Sequence, residues 1–206
     1  MKNIKSLFAG LLSASLLFTA CSDDFLDTFP TDQVSSESAV ASTGTAMAAL
    51  NGIHRSLYIR YGSQGRGGIG AFNIHIDEAG EDHVFNRSNW THSYRWRPNT
   101  ETTNSYNRAN WLMFYQVIAN ANVLINGVGE ADGTQEERDY IMGQALVYRA
   151  YSHFQMVQCW GDRYAAGGGN SQLGIPIKLD NSTDPIARST VEQVYDQIHL
   201  DLDQAI

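Results

Sequence analysis

Trp90, Tyr94 and Trp96 crowd one short segment of the chain, interleaved with Asn86, Arg87, Asn89, Arg95, Arg97 and Asn99. Flat aromatic faces stack on the C–H faces of sugar rings or on peptide side chains. Asn and Arg supply hydrogen bonds to hydroxyls and carbonyls. A loop carrying both suits a ligand-binding surface. Trp90, Tyr94, Trp96 and Asn99 are the candidate ligand contacts. The competing role for these rings is to plug a helical core, most of all for Trp96, two residues before Pro98. Asn86-Arg87-Ser88 and Asn89-Trp90-Thr91 are glycosylation sequons only on a eukaryotic secretory route.

Other chemistries fit less well. His75, Asp77, Glu78, Glu81, Asp82 and His83 are all metal-ligand types. Their spacing has neither the H-E-x-x-H order of zinc sites nor the alternating acids and glycine of a calcium loop. A solvated acidic loop capping a helix is the expected reading. Gly65-Arg66-Gly67-Gly68-Ile69-Gly70 matches G-x-G-x-x-G, but a dinucleotide site needs a strand before it and a helix after it. The pattern here predicts a helix before it and irregular chain after. No carboxylate pair is singled out for glycosidase chemistry, and no G-x-S-x-G or Cys/His signature is present. The expectation is therefore no catalytic residue, no metal and no cofactor.

The elements around these residues are mostly helical. From Ser42 to Tyr61, Met47, Leu50, Ile53, Leu57 and Tyr61 share one face. Gly62 to Gly70 is expected to be loop, and Ile74 and Ile76 alternate like a short strand. From Asn107 to Val128, Trp111, Tyr115, Ile118, Asn122 and Ile125 run down a face, with Phe114, Ala121 and Leu124 beside them; Gly127 and Gly129 close the helix. Thr134 and Glu137 form a capping box. Beyond it Ile141, Ala145, Tyr148 and Ser152 align, flanked by Val147, Ala150, Phe154 and Val157, and Gly161 is placed as a left-handed stop. Cys159 reads as a packed thiol. After an irregular stretch with a short extended piece, Leu173 to Ile177, Ser189 and Glu192 read as another capping box. That box opens a helix bearing Val191, Val194, Tyr195, Ile198 and Leu202. Nothing marks an end to this helix before Ile206, so a longer protein is expected. Trp111 and Ala145 lie 34 residues apart, the tetratricopeptide period, although a plain helical hairpin would serve as well.

The start of the chain concerns location. Lys2 and Lys5 precede an apolar run from Leu7 to Phe18, then Thr19-Ala20-Cys21-Ser22-Asp23-Asp24. The run is too short to span a bilayer and suits a signal peptide. The cysteine after small residues is similar to a bacterial lipobox, which makes Cys21 the lipidated residue. The chain carries 14 Lys and Arg against 22 Asp and Glu, a net charge of −8. Loss of residues 1–20 takes away two lysines and leaves −10. Such a chain repels phosphate backbones, so nucleic acid is not expected as a partner. With Cys21 lipidated, Cys159 has no disulfide partner.

Together these pieces resemble the SusD/RagB family of outer-membrane lipoproteins. The carrying residues are Cys21-Ser22-Asp23-Asp24-Phe25-Leu26-Asp27 with Pro30-Thr31-Asp32; Trp111, Tyr115, Ile118, Ala121 and Asn122; Gly143, Ala145, Arg149, Ala150 and Tyr151 on to Trp160-Gly161-Asp162; and Arg188, Thr190, Tyr195, Ile198, Asp201, Leu202 and Ala205. The chain departs from the family after Asp162, where Arg163-Tyr164 and a glycine run precede Ile175-Pro176. The resemblance implies an all-α fold of tetratricopeptide-like helical repeats with long irregular loops. It also implies a cell-surface protein that captures oligosaccharides, or peptides in the RagB branch, for a SusC-like TonB-dependent transporter, without catalysis. Residues 1–20 are then a signal peptide, 21–38 a tether, and 39–206 the N-terminal part of the helical domain. A scaffold that binds only protein and a surface glycoside hydrolase are the rival readings.

Overall fold

The computed structural model describes residues 35–58, 63–82, 84, 91–97 and 101–206. Its helices are α1 (Ser36–Ala39), α2 (Thr43–Ser56), α3 (Gly68–Ala79), α4 (Thr91–Tyr94), α5 (Ser105–Gly127), α6 (Gln135–Trp160) and α7 (Val191–Gln204). Among the described residues there is no strand, only the isolated bridges Ser42–Asp132 and Leu173–Thr190. None of these helices is long and apolar enough to cross a membrane.

Helices α2, α6 and α7 are started by named groups, and α6 is also stopped by one. Ser42 and Thr45 cap α2 reciprocally, and Thr134 and Glu137 do the same for α6. Three hydrogen bonds, from the Thr134 amide and the Thr43 and Thr134 hydroxyls, hold the Glu137 carboxyl below its ordinary range. The second box expected from the sequence, Ser189 with Glu192, is displaced by one residue: Thr190 and Gln193 cap α7. Ser189 cannot cap, because its backbone is paired with the extended piece, its amide to the Ile175 carbonyl and its carbonyl to the Gly174 amide. Gly161 does close α6, but with φ −96° and ψ 169°, extended instead of left-handed. Space explains the glycine there, since a Cβ would lie 2.7 Å from the Val157 carbonyl oxygen.

α5 and α6 form an antiparallel hairpin, and α7 returns antiparallel along α6. Two apolar clusters hold the set. In one, Leu50 and Ile53 of α2 meet Val117, Ala121 and Leu124 of α5 and Ile141 of α6. In the other, Phe72 of α3 and Phe114 and Ile118 of α5 meet Met156 of α6 and Val194 and Ile198 of α7. Each such side chain contributes about 1.5–3 kcal/mol on full burial. Most of the predicted faces point inward, but Val147, Phe154 and Leu202 are exposed. Arg149, His153 and Asp201 take inward positions instead.

Candidate ligand-binding surface

The glycine run places α3. Gly68 has φ +71°, and a Cβ there would collide with the Leu57 carbonyl, which accepts from the Ile69 amide at 2.8 Å. The run therefore lets α3 cross the end of α2, and among the described residues no strand precedes it as a nucleotide loop would require. Helix, not loop, begins at Gly68. The Ile74–Ile76 alternation is likewise helical, because the buried positions are Ala71, Phe72, His75 and Glu78, spaced by three and four. Ile74 and Ile76 face outward.

α3 in turn latches α4. The His75 ring donates from Nε2 to the Gly65 carbonyl at 2.9 Å, which leaves Nδ1 to accept from the Ser93 hydroxyl. His75 and Ser93 are both buried, and His75 also lies against Tyr106 at 4.9 Å between rings. The acidic-loop expectation is thus corrected for His75 and Glu78, which sit on the inner face of a helix. No group of three metal-ligand side chains occurs among the described residues, and His83 lies outside them.

Beyond the latch, Tyr94 and Trp96 are each 51 % exposed. The Trp96 amide donates to the Ser93 carbonyl at 2.8 Å, and Trp96 has φ +56°. A bulky side chain in the left-handed region costs about 1–2 kcal/mol, and such outliers cluster at binding sites. Trp96 does not plug the core. Arg95 and Arg97 are exposed beside these rings, and Arg97 approaches Glu101 at 3.7 Å. Trp90, Asn99 and Cys21 lie outside the described residues.

Sequence reasoning missed a second feature, a groove of about 620 Å³ along α6. Tyr140, Val147 and Tyr151 form its floor, Leu57 and Ile69 one wall, and Ala205 the other. The available signal was the seven-residue spacing of Tyr140 and Val147, which sets two apolar side chains on one line of α6, both lining the groove.

Other residues that carried the family resemblance are structural. Arg149 donates to both Asp201 oxygens at 2.9 and 2.7 Å and to the Asn122 side-chain oxygen at 2.9 Å. Asn122 donates onward to the carbonyls of Lys178 and Asp180 at 3.2 and 3.1 Å. The Tyr115 hydroxyl donates to the Pro176 carbonyl at 2.8 Å, and Asn126 donates to that of Leu179 at 3.3 Å. Arg188 donates to the carbonyls of Trp160, Leu173 and Gly174. His153 is wholly buried near Arg149 and Asp201, and burial lowers its pKa to about 4. Cys159 is exposed, not packed, yet desolvation by the surrounding chain pushes its thiol up to about 11. It is therefore protonated at neutral pH and a poor nucleophile.

A family model described as starch-binding and associating with the outer membrane matches residues 24–206. The chain belongs to the SusD-like family. This is a family of binding proteins associated with the outer membrane. Among solved structures, a SusD-like carbohydrate binding protein from Bacteroides vulgatus is 27 % identical with a TM-score of 0.72, over 80 % of this chain and 35 % of that one. A SusD superfamily protein from the same organism is 23 % identical with a TM-score of 0.64, over 80 % and 37 %. One from Bacteroides thetaiotaomicron is 24 % identical with a TM-score of 0.58, over 80 % and 36 %. These two show the fold alone. The chain thus spans about a third of the length of the solved relatives it matches. No curated protein matches its sequence. The all-α SusD-like architecture is the one the sequence predicts.

Proposed function

We propose that this SusD-like chain is the N-terminal part of a cell-surface lipoprotein that captures oligosaccharides and delivers them to a SusC-like TonB-dependent transporter. The exposed pair Tyr94 and Trp96, with Trp96 held in a left-handed conformation, carries this reading. Trp90 and Asn99, in the same segment, complete the candidate contact set. The carbohydrate-binding relative supports a glycan as ligand. Residues 1–20 serve as signal peptide, Cys21 bears the lipid, and 21–38 act as tether. Residues 39–206 begin a helical domain in which α7 opens a further hairpin of tetratricopeptide-like type. Acyl chains contribute about 0.8 kcal/mol per buried methylene, and stable anchoring needs more than one chain.

Calorimetry of the full-length protein against neutral and acidic oligosaccharides tests the glycan reading. Binding that falls at least tenfold in Trp96→Ala supports it, and absence of affinity for every glycan sinks it. The groove along α6 favours a second reading, a protein-binding scaffold, since an apolar channel on a helix face suits an amphipathic helix. A Val147→Asp protein that loses its transporter while retaining glycan affinity would assign the groove to that partner.

A further inference from the structure

We propose that the Tyr94–Arg97 surface selects oligosaccharides that carry carboxylate or sulfate groups; this rests on the glycan-binding reading above. The chain has 22 acids in 206 residues, yet His83 to Thr100 contains none, while Arg87, Arg95 and Arg97 fall within it. In the described part of that segment the order is Tyr94-Arg95-Trp96-Arg97, and all four side chains are exposed. Among the described residues Arg95 forms no ion pair. Among those residues Arg97 pairs with Glu101 alone, at 3.7 Å with both side chains nearly half exposed, and an exposed pair of that kind is weak and readily exchanged.

Alternation of ring and guanidinium matches an acidic sugar chemically. A ring offers a face to the C–H side of a pyranose, and the adjacent planar guanidinium can take a carboxylate or sulfate through two parallel hydrogen bonds. A neutral glycan needs the rings and short polar donors; it gives two neighbouring arginines nothing to neutralise. The net charge of −8 does not forbid this. Charges are screened beyond about 8 Å at physiological salt, so a short oligosaccharide meets chiefly the local arginines, whereas a long polyanion meets the repulsive whole.

The test uses full-length protein with a galacturonate hexamer, a chondroitin sulfate hexamer and maltohexaose, titrated at low and physiological salt. The expected result is at least tenfold tighter binding of one or both acidic hexamers than of maltohexaose, weakening as salt rises. Galacturonate presents carboxylates alone and chondroitin sulfate presents both groups, so binding of chondroitin sulfate without galacturonate points to sulfate. The double variant Arg95→Gln/Arg97→Gln should lose most of that preference, with acidic hexamers weakened far more than maltohexaose, and melt where the parent does. Equal binding of neutral and acidic hexamers, or a double variant that keeps the preference, overturns the inference while the glycan reading stands. A single-stranded oligonucleotide held as tightly as the acidic hexamers also overturns it, by showing attraction without sugar recognition. Failure of all three hexamers to bind overturns this inference, and absence of affinity for every other oligosaccharide overturns the glycan reading with it.

Discussion

Two residues are strained or stranded in ways that measurement can reach. Trp96 occupies a backbone region that suits glycine. Trp96→Gly is expected to raise stability in chemical denaturation by up to about 1 kcal/mol while abolishing glycan affinity. A binding residue would show that opposite movement; a packing residue would lose both. His153 is the second case. Its native pKa of about 4 lies below the ordinary 6.5, so the unfolded chain binds a proton that the native chain refuses between those values. Stability from the neutral, buried ring is complete above pH 6.5, falls as pH drops towards 4, and levels off below that. A loss of roughly 2 kcal/mol between pH 7 and 5 is expected. Thermal unfolding of His153→Met should show a flatter profile over that window, whatever its absolute stability.

At the scale of elements, the bond between α6 and α7 is a buried ion pair, and breaking it from one side leaves a charge stranded. Asp201→Ala should cost about 3–5 kcal/mol in urea unfolding, whereas Arg149→Met/Asp201→Leu should recover much of it. If the double variant proved as unstable as the single, the pair would be worth more than an apolar substitute. The positions of both residues were visible in the sequence as parts of a family pattern, but their partnership was not. Periodicity registers apolar faces, and a buried Arg or Asp interrupts it; hence Leu202 was expected inside where Asp201 lies. α2, α5, α6 and α7 were legible because their apolar positions recur every three or four residues. α3 was not, since a glycine run and two alternating isoleucines imitated loop and strand. The rings of Tyr94 and Trp96 were legible as ligand candidates by type, whereas the groove was hidden because it takes one wall from Leu57, another from Ala205, and a floor from between them.

For the whole molecule, the predictions concern location and supply. Cys21→Ala should shift the full-length protein from the membrane fraction to the soluble fraction with glycan affinity in solution unchanged; equal membrane retention would remove the lipid anchor from the account. Capture and anchoring then belong to different segments of the chain. The segment from Pro176 to Asp180 shows how such a molecule tolerates redesign. Tyr115, Asn122 and Asn126 hold it by main-chain carbonyls, which every amino acid possesses. The helix thus grips a path without reading its letters. The exposed side chains of this strap, Leu179 and Asp180, are open to replacement at little thermodynamic expense, while Ile177, packed on the core, and the three gripping residues of α5 are not. A loop with a new binding specificity could be grafted there and inherit its course from the helix beneath.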